Sequence, residues 1–543
     1  MWIGPRGAGR EQHNAMAPAR SERQRDRRDA LEPEAMGSTR PTLIALAAAG
    51  VLLLAACGSS TPAEINTPVA APGSIPAPAP ASTASARLLV WPEFGLNPQR
   101  SDSTEAATGI TRAELAHLRA VKVSLPGTVD SSPVYLHGAS VEGSPHNAIF
   151  VTTTYGRTLA IDADSGRIMW TFTPAGYSSW AGTAQITVSS PLIDPGLQYI
   201  YAASPNGEVH KLRVQNGSEV TEGAWPARIT REPKHEKTGP ALNIDGPYIL
   251  AATGGYIGDI PPYQGHVVLI NRASGQVSAP FNTLCANRRE LILPSTCPAS
   301  DSAILSRAGA VVEPGGARIL IDTGNGPWNG STDFGDSVME LTVPGLRLRQ
   351  SFTPTNQEQL NTSDTDLGSS APALLGQGRV ILAGKDGILR VLKLSKLDGH
   401  APGSAAARRH PLGGEVQRLS IPGGGELWTA PAVWTHGGRT TVFIADEHAT
   451  AAYVERHGDL YRAWENSTPG TSPVLAGGLL YVYEPNSGGI NVYQPGSATA
   501  IFHLPGEPGH WNSPIVLDGH VIEPSGNANE HKLSGSLEIF SVG

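Results

Sequence analysis

From Leu159 to Trp170 the chain alternates in the way a half-buried strand does. Leu159 and Ile161 flank Ala160, Asp164-Ser165-Gly166 supplies turn chemistry, and Ile168-Met169-Trp170 returns as a second run. A period of two on both sides of a Gly turn predicts strand, tight turn, strand. Trp170 ends the second strand with a large apolar ring that has to dock on something. One such hairpin cannot bury its own face, so neighbours of the same kind are required.

The rest of the chain supplies them. A small residue, a Pro and an apolar residue recur at Ser132-Pro133-Val134, Ser190-Pro191-Leu192, Gly239-Pro240-Ala241, Ala371-Pro372-Ala373, Ala430-Pro431-Ala432, Ser472-Pro473-Val474 and Ser513-Pro514-Ile515. Successive prolines lie 58, 49, 132, 59, 42 and 41 residues apart. The gap of 132 has room for one degenerate unit, expected at about 301 to 368, which makes eight. After each opening come an apolar strand, a Gly turn and a further strand, as in Ile149 to Val151 before Tyr155-Gly156, or Val380 to Leu382 before Asp386-Gly387. Units of this length with four short strands each predict an all-β, eight-bladed β-propeller of four-stranded antiparallel blades over residues 87–543. The final unit, from Trp511, is one strand short, and Val121 to Leu125 is predicted to complete it. Ahead of that strand, Thr111-x-x-Glu114 reads as a capping box opening a short helix.

Composition agrees with a turn-dense chain: of 543 residues, 62 are Gly, 45 are Pro and only 16% are charged. The net charge is -8, and the first 56 residues hold eight Arg against six acidic residues, so the remainder is more acidic still. No basic block lies outside the N-terminus, which excludes nucleic acid as an expected partner. Residues 1–35 are Arg-rich and aperiodic and are expected to precede the true start. Residues 36–56 read as a signal peptide, with Arg40 in the n-region and an apolar h-region from Leu43 to Ala56. Leu54-Ala55-Ala56-Cys57 resembles the lipobox of bacterial lipoprotein precursors, which implies lipidation of Cys57 and a lipid anchor to a membrane of the cell envelope. Residues 57–86 are a Pro/Ala/Ser tether. Cys285 and Cys297 are the only other cysteines. In an oxidising compartment they are expected to pair, closing a loop worth about 3 kcal/mol; two free buried thiols are the alternative. Without nearby His ligands they do not read as a metal site.

The run Ala160-x-Asp162-x-x-x-Gly166-x-x-x-Trp170 resembles the tryptophan-docking motif of pyrroloquinoline quinone (PQQ)-type propellers. The resemblance implies that Trp170 packs between blades. It also implies one of two functions. Quinoprotein alcohol dehydrogenases hold PQQ and a divalent cation in the central funnel. Binding propellers, such as the lipoprotein of the outer-membrane β-barrel assembly machinery, use the same blades without a cofactor.

Three stretches are similar to the dehydrogenases. Gly324-Asn325 to Asn329, followed by Gly335-Asp336, is similar to the stretch where an Asn ligates the cation (calcium) and an Asp acts as base. That makes Asn325 and Asp336 candidate metal ligands and Asp336 the candidate catalytic base. Gly384-Lys385-Asp386-Gly387 is similar to the segment whose Lys or Arg hydrogen-bonds the quinone, and Trp428 is a candidate funnel aromatic. Turn roles suit Asn325, Asp336 and Lys385 as well. Against these stand four departures. No Glu occurs at Gly254 to Gly258, where Asp259 is the available substitute, and Ser306-Arg307-Ala308-Gly309 offers no Trp for the quinone to stack on. There is neither an adjacent Cys-Cys pair nor a Cys-x-x-Cys-His haem motif. The favoured expectation is therefore an envelope binding or scaffolding module without a cofactor; the alternative is a PQQ- and calcium-dependent alcohol or sugar dehydrogenase. An envelope protein is the expected partner, sought first at the Cys285–Cys297 loop.

Overall fold

The computed structural model describes residues 87–278 and 280–543; Cys57 and the segments 1–35, 36–56 and 57–86 lie outside the described residues. The described chain forms eight antiparallel sheets, seven of four strands and one carrying a fifth short strand. Blades 1 to 8 begin at Val134, Leu192, Asn243, Val311, Ala373, Ala432, Val474 and Ile515. The degenerate unit is blade 4, with strands Val311–Val312, Arg318–Asp322, Val338–Thr342 and Leu348–Phe352. Blade 8 takes three strands from the C-terminus, and Arg119–Leu125 completes it, pairing from Arg119 opposite Ser541 to Leu125 opposite Gly535. The ring is thus closed by backbone hydrogen bonds between two distant segments, which leaves no open sheet edge at the seam.

Local chemistry explains the blades. In blade 1 the Asp162 side chain accepts the Ser165 N–H at 2.8 Å, and Gly166, at φ +72°, returns the chain toward Trp170. Asn271 does the same for Ala273 and Ser274 in blade 3. Trp170 then leaves its own blade: its indole N–H donates to the Val214 carbonyl at 2.9 Å, and its ring lies against Gly217 of blade 2, where a Cβ would come within 2.5 Å of the ring. Trp464 repeats the device between blades 6 and 7, donating to the Pro495 carbonyl at 2.8 Å. The region after Ile110 differs from its expected form. Leu115–His117 is a 3₁₀ turn rather than a helix. Glu114 does reach back to the Thr111 N–H at 2.7 Å, but the Glu114 N–H bonds the Thr111 carbonyl, so only half of the capping box forms.

One feature carries no periodicity in the sequence. Residues 88–110 run as a strap across one end of the ring. Carbonyls of Leu89, Pro92, Pro98, Ser101, Asp102 and Thr108 accept N–H groups from blades 1, 2, 4, 6, 7 and 8. Arg100 is 2% exposed and anchors the strap, donating to Glu93 at 2.9 Å, to the Leu242 carbonyl at 2.8 Å and to the Ala308 carbonyl at 3.1 Å. Because Gly519, in the turn between the first two strands of blade 8, meets this strap, the strap lies at the end where those turns lie. Turns between second and third strands, and the connectors between blades, lie at the opposite end. The axial space is consequently lined, at that second end, by connectors and by turns between second and third strands.

Candidate functional site

The connector residue three positions before each blade's opening Pro holds an equivalent place in every unit. These residues are Asp130, Val188, Lys237, Arg307, Ser369, Trp428, Gly470 and Trp511, with Ala310 standing in the Pro position of blade 4. Contacts between non-adjacent blades establish their convergence. Arg307, from blade 4, donates to the Asp130 carboxylate at 2.6 Å and to the Asp130 carbonyl at 2.8 Å, both in the approach to blade 1. Asp130 also meets His510 Nδ1 at 2.8 Å and accepts the Ala528 N–H at 3.0 Å. Burial pushes the Asp130 carboxyl up, but Arg307, His510 and the Ala528 N–H together outweigh it and hold it well below the usual carboxylate range. Lys237 sits nearby, lowered to about 8 by burial and by the Arg307 charge.

From Arg307 a stack of rings and cations crosses the funnel. Its guanidinium lies 4.9 Å from the Trp511 ring centre, and Trp511 stacks on Trp428 at 5.0 Å with planes 17° apart. The Lys385 ammonium lies 4.6 Å from the Trp428 ring centre. Blade 7 contributes Gly470 at the equivalent position, where a Cβ would meet Val482 at 2.3 Å.

The Asn325 and Lys385 stretches converge on a residue that sequence reasoning missed. Asp366 accepts the Asn325 backbone N–H at 2.8 Å and pairs with the Lys385 ammonium at 2.5 Å. Burial works against the Lys385 charge, yet the Asp366 carboxylate holds its pKa above the ordinary lysine value. Asp336 is not in this contact. It is fully buried behind it, accepting the Leu367 N–H at 3.1 Å and the Gln357 side-chain N–H at 3.3 Å. Burial pushes it up to about 8, with a further push from the Asp366 charge. Asp259 accepts the Tyr263 hydroxyl at 2.9 Å and is raised by burial.

A cavity of about 520 Å³ opens beside the indole stack, between blades 6, 7 and 8, lined by Glu426, Trp428, Asp446, Glu447, His510 and Trp511 among others. A stacked planar cofactor does not fit the residues present. At the position expected for an aromatic floor stands Arg307, 5% exposed and ion-paired. Both indoles are already occupied, Trp428 by Lys385 and Trp511, and Trp511 by Trp428, His510 and Arg307. What the arrangement offers is a polar lining in which Arg307 and Lys385 are neutralised by Asp130 and Asp366.

Cys285 and Cys297 form the expected disulfide, in the connector between blades 3 and 4. With Asp333 they are the only trio of metal-ligand atoms of His, Cys, Asp or Glu lying within 4.8 Å of one another among the described residues, and disulfide sulfurs carry no thiolate to bind an ion.

Residues 104–287 match the family model described as outer membrane protein assembly factor BamB. No curated protein matches the chain. Among solved structures, quinohemoprotein alcohol dehydrogenase from Comamonas testosteroni aligns over 84% of this chain and 81% of its own at 15% identity, with a TM-score of 0.60. Alcohol dehydrogenase ADHIIG from Pseudomonas putida HK5 aligns over 84% and 80% at 12% identity, TM-score 0.63. A europium-containing methanol dehydrogenase aligns over 83% and 98% at 14% identity, TM-score 0.60. At such identities the likeness is one of fold. Eight closed four-stranded blades and the likeness to these structures show the fold, an eight-bladed β-propeller like that of the quinoprotein dehydrogenases, and residues 104–287 match the BamB family model.

Proposed function

We propose that the chain is a binding module of the cell envelope, carried on a lipidated Cys57 and using the connector end of its propeller for recognition. The observation that supports this reading is the Asp130–Arg307–Trp511–Trp428–Lys385 stack. It fills the axis with internally satisfied charge where a quinone would need an open ring and a calcium ion would need several free carboxylates. An internally satisfied axis suits a rigid surface for recognition.

A second reading, a PQQ-dependent alcohol or sugar dehydrogenase, draws on one specific contact, Asn325 and Lys385 joined through Asp366. Titration of the full-length chain with PQQ and Ca²⁺, followed by quinone absorbance and by dye-linked alcohol oxidation, separates the two. The binding-module reading expects no saturable change. Micromolar binding that Lys385→Ala and Asp366→Ala abolish would replace it with the dehydrogenase.

A further inference from the structure

The cavity between blades 6, 7 and 8 has an unbalanced charge. Glu426 ends the approach to blade 6, and Asp446 and Glu447 form the turn between that blade's second and third strands, so one blade turns three carboxylates toward one space. The cations near it form their ion pairs elsewhere, Lys385 with Asp366 and Arg307 with Asp130, although the Lys385 charge also reaches Glu426 and the His448 ring lies 3.6 Å from Glu447. Burial raises both Glu426 and Asp446, the latter to about 6, and with the Glu447 charge it outweighs the opposing pull of Lys385 on Glu426 and of His448 on Asp446.

Asp446 supplies the independent observation. Its side chain is 3% exposed, and one oxygen is used by the turn, accepting the His448 N–H at 2.8 Å and the Ala449 N–H at 2.7 Å. The other oxygen, Oδ2, is buried with no hydrogen-bond partner. An unpaired buried carboxylate oxygen on a residue that lines a cavity is costly unless something arrives to satisfy it. A metal ion is a poor candidate, because no trio of cavity carboxylates brings ligand atoms within 4.8 Å of one another. A cavity of about 520 Å³ also suits a small organic molecule better than a bare ion. The ligand must therefore be positively charged, rich in N–H donors and large enough to span separated carboxylates.

We propose that this cavity binds an organic cation, a small amine or guanidinium compound, through Asp446, Glu426 and Glu447, with the Trp428–Trp511 stack as its rigid wall. The assignment rests on the binding-module reading, since it names what that funnel recognises. Charge-assisted hydrogen bonds to Asp446 and Glu426 carry the affinity, and the preformed wall keeps the ordering cost low.

The test is calorimetric titration of the full-length chain with spermidine and agmatine, and with mannitol as the neutral polar control. Saturable binding of the amines, absent for mannitol, is expected. Asp446→Asn keeps the turn acceptor while removing the charge, and is expected to weaken binding about tenfold or more. Glu426→Gln, at a partly exposed site that places less of the fold at risk, is expected to weaken it in the same direction. Glu142→Gln, on a distant turn, controls for general attraction to an acidic protein and should change nothing. Amines that bind no better than mannitol, or binding that Asp446→Asn and Glu426→Gln leave within twofold, would overturn the proposal. Adding PQQ and Ca²⁺ to the same samples keeps the two ideas apart. Amine-silent, quinone-silent protein removes only the ligand assignment, whereas saturable quinone binding removes the binding-module reading itself.

Discussion

Asp336→Asn distinguishes a structural carboxyl from a working base. The carboxyl is fully buried, with folded pKa about 8 against an ordinary value of 3.8. Asn is close to isosteric, and it tolerates the φ of +48° at this position. The sign follows from proton counting. Between pH 3.8 and about 8 the folded chain holds a proton that the unfolded chain has released. Stability from this group is therefore complete below the unfolded value and is lost as pH rises through the folded one. Each unit is worth about 1.4 kcal/mol, so three units amount to about 4 kcal/mol at most, and 2–4 kcal/mol is a sensible range. The variant escapes this dependence but sets its amide nitrogen against the Gln357 donor, at a fixed cost of about 1–3 kcal/mol. Taking the wild-type-to-variant difference at pH 5 and again at pH 8 cancels that fixed cost. Urea unfolding at the two pH values should show Asp336→Asn gaining about 2–4 kcal/mol on the wild type between them. A change under about 1 kcal/mol would mean that the carboxyl is ionised in the folded protein, and the structural account of Asp336 would fail.

Two further outcomes follow from the same structure. Trp170→Ala leaves a void between blades 1 and 2 and an unpaired Val214 carbonyl, so the urea midpoint should fall by the equivalent of about 3–5 kcal/mol; a loss under 1 kcal/mol would remove the docking role. Arg307→Met leaves the buried Asp130 without its guanidinium, held only by His510 and backbone N–H groups, and an unfolding free energy lower by about 3–5 kcal/mol is expected at pH 7. Asp130 is depressed when folded, so its contribution is present above its ordinary range and lost as pH falls. The variant should accordingly show a flatter decline on acidification, and an unchanged acid limb would contradict the pairing.

The ring was legible because its determinants are local. Strand alternation, the Asp162 turn and the Trp170 dock all lie within a dozen residues of one another, and the next blade's Gly217 follows at blade spacing. Blade 4 was found only by subtraction, since Ala310 replaces its opening Pro and Gly315-Gly316 blurs its first turn. The strap was not legible at all. Its residues follow neither period, because they answer to carbonyls and amides from seven blades and to one buried arginine.

The funnel shows why a site on a propeller is harder to read than the propeller. Asp130 and Arg307 are 177 residues apart, and no local pattern links them. Yet both stand three before a blade opening, and so do Lys237, Trp428, Gly470 and Trp511. The same repeat that builds the wall therefore indexes its inner lining, and that index corrects the emphasis on Asp336. Asp336 occupies a turn of blade 4, behind the lining, whereas Asp366, directly before the Leu367-Gly-Ser-Ser-Ala-Pro opening of blade 5, reaches Asn325 and Lys385. Along that index the axis of this chain joins Asp130, Arg307, Trp511, Trp428 and Lys385 in one stack, with three further carboxylates displaced to one side. Recognition is then a property of blade 6, where Glu426 and Asp446 form no ion pair among the described residues and Asp446 keeps one oxygen without a hydrogen-bond partner. A ligand that closes this imbalance would bind off the axis, without disturbing the Asp130–Arg307 pair at the centre.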